Sequence, residues 1–131
     1  DDRDIADVFA LPPAEVTRLM WHDPANAPDP ADLTDAQSEV MAAGRVALAL
    51  YTWQPYMHNP KLPRRLHRID VPTMILWGAA DKIFPPALGE EYQRLIAGSE
   101  LRIIPECGHL PQHEKLADFL SGVDAIANGA G

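Results

Sequence analysis

Two side chains that can share a hydrogen bond and a proton, Asp81 and His109, each follow a short run of apolar residues. The run TMILWG precedes the acid, and the run LRIIP precedes the histidine. If both runs are parallel strands of one sheet, their carboxyl ends lie at the same edge, where open α/β sheets place their ligands. A carboxylate at that edge can fix the tautomer of an imidazole and stabilise the imidazolium that forms when the ring accepts a proton. The pair therefore predicts two members of a triad that activates a nucleophile.

The residues around this pair alternate between helix and strand patterns. Residues 73–77 and the run ELRIIP predict two strands, and helices are predicted before, between and after them. The last helix is marked by apolar residues on one face: Leu116, Phe119, Leu120, Val123 and Ile126. This order predicts two parallel strands joined by a right-handed crossover. Because parallel sheets are normally buried on both faces, we expect further strands from outside this sequence.

Residues 1–59 show no strand pattern and predict helices only. The stretch LPPAEVTRLMWHD places proline at the start of a helix, where a missing N–H costs nothing, and has apolar residues at helical spacing. A second helix is predicted after Thr34, which stands in capping-box register with Gln37. Its apolar stripe consists of Val40, Ala43, Ala47, Leu50 and Tyr51. Two such helices have no core of their own, so they need another surface to cover.

The sequences VPTMILWGAADKIFPP and LRIIPECGHLPQHEKLADFL resemble the carboxyl-terminal half of the α/β-hydrolase fold family. In that family an acid after the seventh strand and a histidine after the eighth complete a Ser-Asp-His triad. The resemblance covers about Trp53 to Asn128, and the preceding helical residues are similar to the cap inserted after the sixth strand. It implies an α/β protein with a partial α/β-hydrolase fold. A helical cap at residues 1–59 would precede the last two parallel strands and their helices at residues 60–131.

The resemblance also implies an enzyme whose catalytic acid is Asp81 and whose catalytic base is His109. The Gly-x-Ser-x-Gly sequence that holds the nucleophile in this family does not occur in these 131 residues. We therefore expect the serine in a missing amino-terminal half that precedes Asp1, and we expect the chain alone to be inactive. The implied substrates are small esters, lactones or related carbonyl compounds, and no cofactor is implied.

Two other interpretations share these residues. Epoxide and haloalkane hydrolases of the same fold use an aspartate nucleophile, and the present sequence does not separate that chemistry from serine chemistry. In a non-enzymatic interpretation the chain is a helical binding or assembly module in which Asp81 and His109 are relics. Taken singly, Asp81 could also be a turn residue that satisfies backbone N–H groups, and His109 a buried structural histidine. Folding of the isolated chain distinguishes the binding module from a fragment of an enzyme. A fragment that lacks the other strands of its sheet exposes apolar surface, whereas a complete module does not.

The remaining candidate residues carry no catalytic or metal-binding pattern. Cys107 has no neighbouring cation or helix start that would generate a thiolate, which favours a small apolar filler. Without Cys or Asp at metal-ligand spacing, we expect no metal site and only surface or packing roles for His22, His58, His67 and His113. Packing is also favoured over substrate contact for Trp21, Tyr51, Trp53 and Met57.

The amino-acid composition limits the kinds of partner that the chain can bind. The chain is 47% hydrophobic and 23% charged, with a formal net charge of -8. Nucleic-acid binding needs a basic face, so that partner is not expected. No apolar run approaches the roughly 18 residues of a membrane helix, and a single cysteine favours a reducing compartment. We therefore expect a cytoplasmic protein that acts on a small-molecule substrate, with no nucleic-acid or membrane partner.

Overall fold

The chain, described by a computed structural model over residues 5–53 and 56–129, carries its strands only in the second half. Six α-helices and two strands occur in this part of the chain. In order they are α1 (Pro13–Met20), α2 (Asp35–Thr52), α3 (Pro63–Leu66), β1 (Met74–Gly78), α4 (Pro86–Leu95), β2 (Glu100–Ile104), α5 (Pro111–Glu114) and α6 (Leu116–Gly129). Two short 3-10 turns, Pro24–Asn26 and Pro30–Asp32, lie between α1 and α2.

Strands β1 and β2 form a parallel pair, as the sequence predicts. Met74 pairs with Glu100 at one end, and Gly78 pairs with Ile104 at the other. The two strands therefore end side by side, and the loops that follow them leave from one edge of the sheet. The first strand begins at Met74, one residue later than its apolar pattern indicates.

Helices α4 and α6 cover opposite faces of this sheet. A Cβ atom on Gly89 of α4 would lie 3.1 Å from the ring of Trp77, and one on Gly122 of α6 would lie 2.7 Å from Leu76. Successive side chains of a strand point to opposite faces, so the two glycines mark close helix–sheet approaches on different sides. Consistently, Arg102, which pairs with Leu76, donates a hydrogen bond to Ser121 of α6 at 3.3 Å.

The two predicted cap helices begin as their sequences indicate. Pro13 is the first residue of α1, where it needs no hydrogen-bond partner. Helix α2 begins with the predicted capping box, in which Gln37 N–H donates to the Thr34 hydroxyl and the Gln37 side chain accepts from Thr34 N–H. No residue of α2 is buried, and its apolar stripe includes Val40, Leu50 and Tyr51 at 72%, 77% and 90% exposure.

The chain divides into two compact units. One contains the described residues up to Ala27 and from Pro63 onward, and the other is Pro28–Leu62. Helix α1 thus belongs to the same unit as the sheet. The predicted boundary between a cap at 1–59 and a hydrolase segment at 60–131 is a functional division and stays a prediction.

The buried core lies in the unit that contains the sheet. Its apolar members are Val8, Trp21, Leu66, Ile83, Ile96, Ile104 and Cys107. Several of them sit in or beside the loops that follow β1 and β2, so the core supports those loops directly. Other large apolar side chains of this unit remain exposed, among them Ile103, Leu116, Leu120 and Val123.

One short helix differs from the sequence-based expectations. The stretch ECGHLPQHE, predicted as a loop, contains the one-turn helix α5, which begins at Pro111. The prediction missed it because proline and glycine mark a loop in sequence, although proline is also favoured at the first position of a helix. In the described part of the chain, no helix combines the length and apolar character needed to span a membrane.

Candidate active site

Asp81 lies in the turn that follows β1, with its side chain only 4% exposed. Its Oδ1 atom accepts hydrogen bonds from the backbone N–H groups of Ile83 and Phe84, both at 2.9 Å. Its Oδ2 atom lies 2.9 Å from Nδ1 of His109. The two oxygens therefore have different partners: one anchors the turn, and the other faces the histidine.

His109 lies in the loop after β2 and keeps 32% of its side chain exposed. A carboxylate only accepts hydrogen bonds, so the 2.9 Å contact places the ring hydrogen on Nδ1. Nε2 of the neutral ring is then free to accept a proton from a neighbouring group. Within residues 5–53 and 56–129, no side chain forms a hydrogen bond with Nε2. Chemically, such an arrangement can act as a general base held by an acid.

The loops after the two strands are tied to each other by backbone hydrogen bonds. Ala79 N–H donates to the carbonyl of Ile104 at 2.9 Å, and Ala80 N–H donates to the carbonyl of Cys107 at 2.8 Å. A Cβ atom on Gly78 would lie 1.9 Å from the carbonyl oxygen of Gly108. Such proximity requires glycine at 78, and it brings the acid and histidine loops into direct contact.

The end of helix α1 contacts both loops. The carbonyl of Leu19 accepts a hydrogen bond from Lys82 N–H at 3.3 Å, and the carbonyl of Met20 accepts one from His109 N–H at 2.6 Å. Trp21, the next residue, is buried. A segment from the amino-terminal part of the sequence therefore binds the main chain of His109 and of Lys82, the residue after Asp81.

Phe84 packs against the candidate base. Its ring centroid lies 5.6 Å from that of His109, with the two planes inclined at 50°. Because Phe84 N–H also donates to Asp81, this residue contacts both members of the pair. Sequence reasoning assigned no role to Phe84 or to Met20, since neither carries a chemical group that marks a site.

Cys107 is fully buried next to the site, and the Lys115 cation lowers its pKa by less than burial and Glu114 raise it. Burial, with the nearby Glu114 carboxylate as a smaller cause, raises the pKa of the Cys107 thiol to about 11. A thiol with this pKa stays protonated near neutral pH and is a poor nucleophile. The structure therefore agrees with its predicted role as a packing residue.

The other predicted packing residues lie in varied surroundings. His22, His58, His67 and His113 are exposed. Over the described ranges, no three His, Cys, Asp or Glu side chains lie close enough together to hold a metal ion.

Of the aromatic residues predicted to pack, Trp21 is buried with its ring 6.2 Å from that of His113. Tyr51 and Trp53, in the other unit, are exposed by 90% and 58%. Met57 has a positive φ of 53°.

Comparison with known proteins identifies the family. The model of the alpha/beta hydrolase fold family matches residues 15–116. Over 99 residues, the chain is 37% identical to a 2-hydroxy-6-oxononadienedioate/2-hydroxy-6-oxononatrienedioate hydrolase of Escherichia coli (strain K12 / DH10B), covering 70% of this chain and 34% of that protein. A hydrolase of the same name from Klebsiella pneumoniae is 42% identical over 60 residues, which are 46% of this chain and 21% of the relative.

A second kind of relative carries a different name. The pimeloyl-[acyl-carrier protein] methyl ester esterase of Neisseria meningitidis serogroup B (strain H44/76) is 37% identical over 62 residues, or 47% of this chain and 21% of that protein. The matches thus span only between a fifth and about a third of the length of these curated relatives. The family match covers most of the chain and includes both Asp81 and His109. The chain therefore belongs to the α/β-hydrolase fold family.

Proposed function

We propose that the chain supplies the cap and the acid–histidine part of a serine-type α/β-hydrolase. The observation that carries this proposal is the 2.9 Å contact between Asp81 and His109 at the carboxyl ends of paired parallel strands. An aspartate that only stabilises a turn needs no partner beyond backbone N–H groups, and in Asp81 the Oδ1 atom alone accepts from both of them. The second oxygen, aimed at an imidazole that keeps its other nitrogen free, favours catalysis over a purely structural role.

In the proposed mechanism His109 transfers protons and Asp81 holds it. Nε2 accepts the hydroxyl proton of a serine outside this chain while the serine oxygen attacks the substrate carbonyl carbon. The imidazolium then gives the proton to the leaving group, and an acyl-enzyme forms. Water, deprotonated by the same nitrogen, attacks the acyl carbon; the imidazolium then returns this proton to the serine oxygen as the acyl–oxygen bond breaks and the carboxylic acid product is released. Throughout, the buried Asp81 carboxylate stabilises the positive ring and keeps Nδ1 protonated.

The remaining strands and the nucleophile would come from an amino-terminal half of the domain. Support comes from the sheet, which has two strands among the described residues, whereas parallel sheets are buried on both faces. Support also comes from the exposed apolar side chains on β2 and α6, including Ile103 at 38% and Leu116 at 54%. We expect the chain alone to lack activity, because the triad would have no nucleophile.

The proposed substrate is a small ester, lactone or related carbonyl compound. The names of the relatives, a hydrolase of 2-hydroxy-6-oxononadienedioate and a methyl ester esterase, support hydrolysis at a carbonyl carbon. The substrate would bind without a cofactor, because acid, base and nucleophile suffice for acyl transfer.

The test is ester hydrolysis by the protein that contains both halves, measured with p-nitrophenyl acetate. Replacing Asp81 by Asn removes the acceptor that holds Nδ1–H, and we expect kcat to fall about 10,000-fold. Replacing His109 by Ala removes the base, and we expect a loss on the order of a million-fold. His67→Ala, at an exposed histidine just after α3, is the matched control and should leave kcat unchanged.

Near-parental turnover in either active-site variant would refute the proposed triad. An aspartate nucleophile, as in epoxide and haloalkane hydrolases, is distinguished by labelling. A fluorophosphonate that modifies serine would leave such an enzyme unlabelled, whereas the proposed serine enzyme takes up one label per active site.

A further inference from the structure

Glu114, the last residue of α5, joins two segments that are far apart in sequence. Its Oε1 atom accepts a hydrogen bond from the backbone N–H of His22 at 2.8 Å and a longer one from Asp23 at 3.4 Å. Its Oε2 atom accepts a hydrogen bond from the backbone N–H of Gly108 at 2.6 Å. One carboxylate therefore connects the chain just after α1 to the residue that precedes His109.

The main chain that enters His109 is held at two consecutive N–H groups. That of Gly108 donates to Glu114, and that of His109 donates to the carbonyl of Met20 at 2.6 Å. A Cβ atom at position 108 would lie 2.2 Å from the Met20 oxygen and 2.9 Å from Oε2 of Glu114. These distances leave no room for any residue larger than glycine, so Gly108 is enclosed between Met20 and Glu114.

We propose that Glu114 is a positioning residue that keeps the imidazole of His109 against Asp81. This inference rests on the proposed catalytic role of His109. The direction of the His109 side chain follows from the main chain at 108 and 109, and its Nδ1 must stay 2.9 Å from Oδ2 of Asp81. A carboxylate suits this place because each of its oxygens accepts from a different backbone segment, and hydrogen bonds to a charged acceptor are strong.

Neutral replacements do not reproduce this arrangement. Glutamine at position 114 has one acceptor oxygen, and its NH₂ group would turn toward either His22 N–H or Gly108 N–H. One of the two segments then loses its partner, and the loop that carries His109 is released on that side. Misplacement of a catalytic group by about 1 Å lowers a rate about 100-fold.

The experiment replaces Glu114 by Gln in the full-length protein, with Glu90→Gln as a matched control on the exposed side of α4. We expect kcat for p-nitrophenyl acetate to fall about 100-fold, while KM changes less than about threefold because the variant does not touch the substrate. Spectra of protein with ¹⁵N-labelled histidine report the Hδ1 resonance that the bond to Asp81 holds downfield. We expect this resonance to be lost or moved upfield in Glu114→Gln and unchanged in Glu90→Gln.

A milder variant, Glu114→Asp, keeps two acceptor oxygens but shortens their reach by one methylene. We expect it to give intermediate changes, and it decides the question if Glu114→Gln does not fold. A parental kcat together with a parental His109 resonance in either folded variant would overturn the positioning role. If the resonance changes but even the unmodified protein hydrolyses no ester, the positioning role stands and the proposed function fails.

Discussion

At the scale of single residues, the site depends on how Asp81 divides its two oxygens. Oδ1 accepts from Ile83 and Phe84, and Oδ2 accepts from His109. Asparagine has the same shape but only one acceptor, so its NH₂ group must face either two backbone donors or a ring nitrogen that now has to accept. The second choice forces the hydrogen to Nε2 and removes the lone pair that would accept a proton. We therefore expect Asp81→Asn to lower kcat for two reasons: His109 takes the wrong tautomer, and the negative charge that stabilises the imidazolium is removed.

The buried thiol of Cys107 leads to a prediction about chemical reactivity. With a pKa of about 11, roughly 0.1% of this thiol is ionised at pH 8, against about 9% for an ordinary thiol of pKa 9.0. We expect iodoacetamide to alkylate Cys107 in the folded protein at least about 100-fold more slowly than in urea. Mass spectrometry of the peptide that contains Cys107 measures both rates. A folded-state rate within about tenfold of the rate in urea would show that the thiol is accessible and ionisable.

At the scale of elements, the sequence was informative where the signal is local. Proline at the first turn located α1, the Thr34–Gln37 capping box located α2, and apolar runs located β1 and β2. The proximity of Asp81 and His109 also followed, because parallel strands place their carboxyl ends together. Each of these inferences needed only neighbouring residues and one rule of sheet geometry.

The contacts that brace the site were not predictable in this way. Glu114 binds the backbone of His22 across 92 residues, and the carbonyl of Met20 binds the backbone of His109. Backbone groups are the same at every position, so no residue type marks them as partners. The side chain of Glu114 likewise resembles any other acid near the start of a helix. Only the folded structure shows that α1 ends against both loops.

Adjacent residues of β2 test whether the core is placed as described. Ile104 is 2% exposed and Ile103 is 38% exposed. Truncation of a buried isoleucine to alanine removes its packing and leaves a cavity, so we expect Ile104→Ala to lower the free energy of unfolding by about 2–5 kcal/mol. In the chain of residues 1–131, we expect Ile103→Ala to cost about 1 kcal/mol or less. Urea unfolding at a concentration at which the chain is monomeric, followed by tryptophan fluorescence, measures both, and equal losses would contradict the described burial.

At the scale of the whole molecule, the distribution of apolar surface is uneven. Ile83, Ile104 and Cys107 are buried in or beside the acid and histidine loops, whereas α6 exposes Leu116, Leu120 and Val123 at 54%, 49% and 47%. Scattered exposed apolar residues are ordinary on a protein surface, but large contiguous groups mark surfaces that another segment covers. Leu116, Leu120 and Val123 recur at the three- and four-residue spacing of one helix face. This face is where we expect the proposed amino-terminal half of the domain to pack.

The isolated chain provides the test of that expectation. We expect residues 1–131, produced alone, to bind 8-anilinonaphthalene-1-sulfonate or to self-associate, because unpaired strand edges and apolar helix faces promote both. Replacing Leu120 and Val123 by Lys should lower the dye fluorescence. The control variant Glu90→Gln, at an exposed position of α4, should leave the dye fluorescence unchanged. Coexpression with the amino-terminal half should suppress the dye signal and restore esterase activity together. A monomer that unfolds cooperatively without binding dye would instead favour a self-sufficient binding module, in which the exposed face of α6 needs no covering segment.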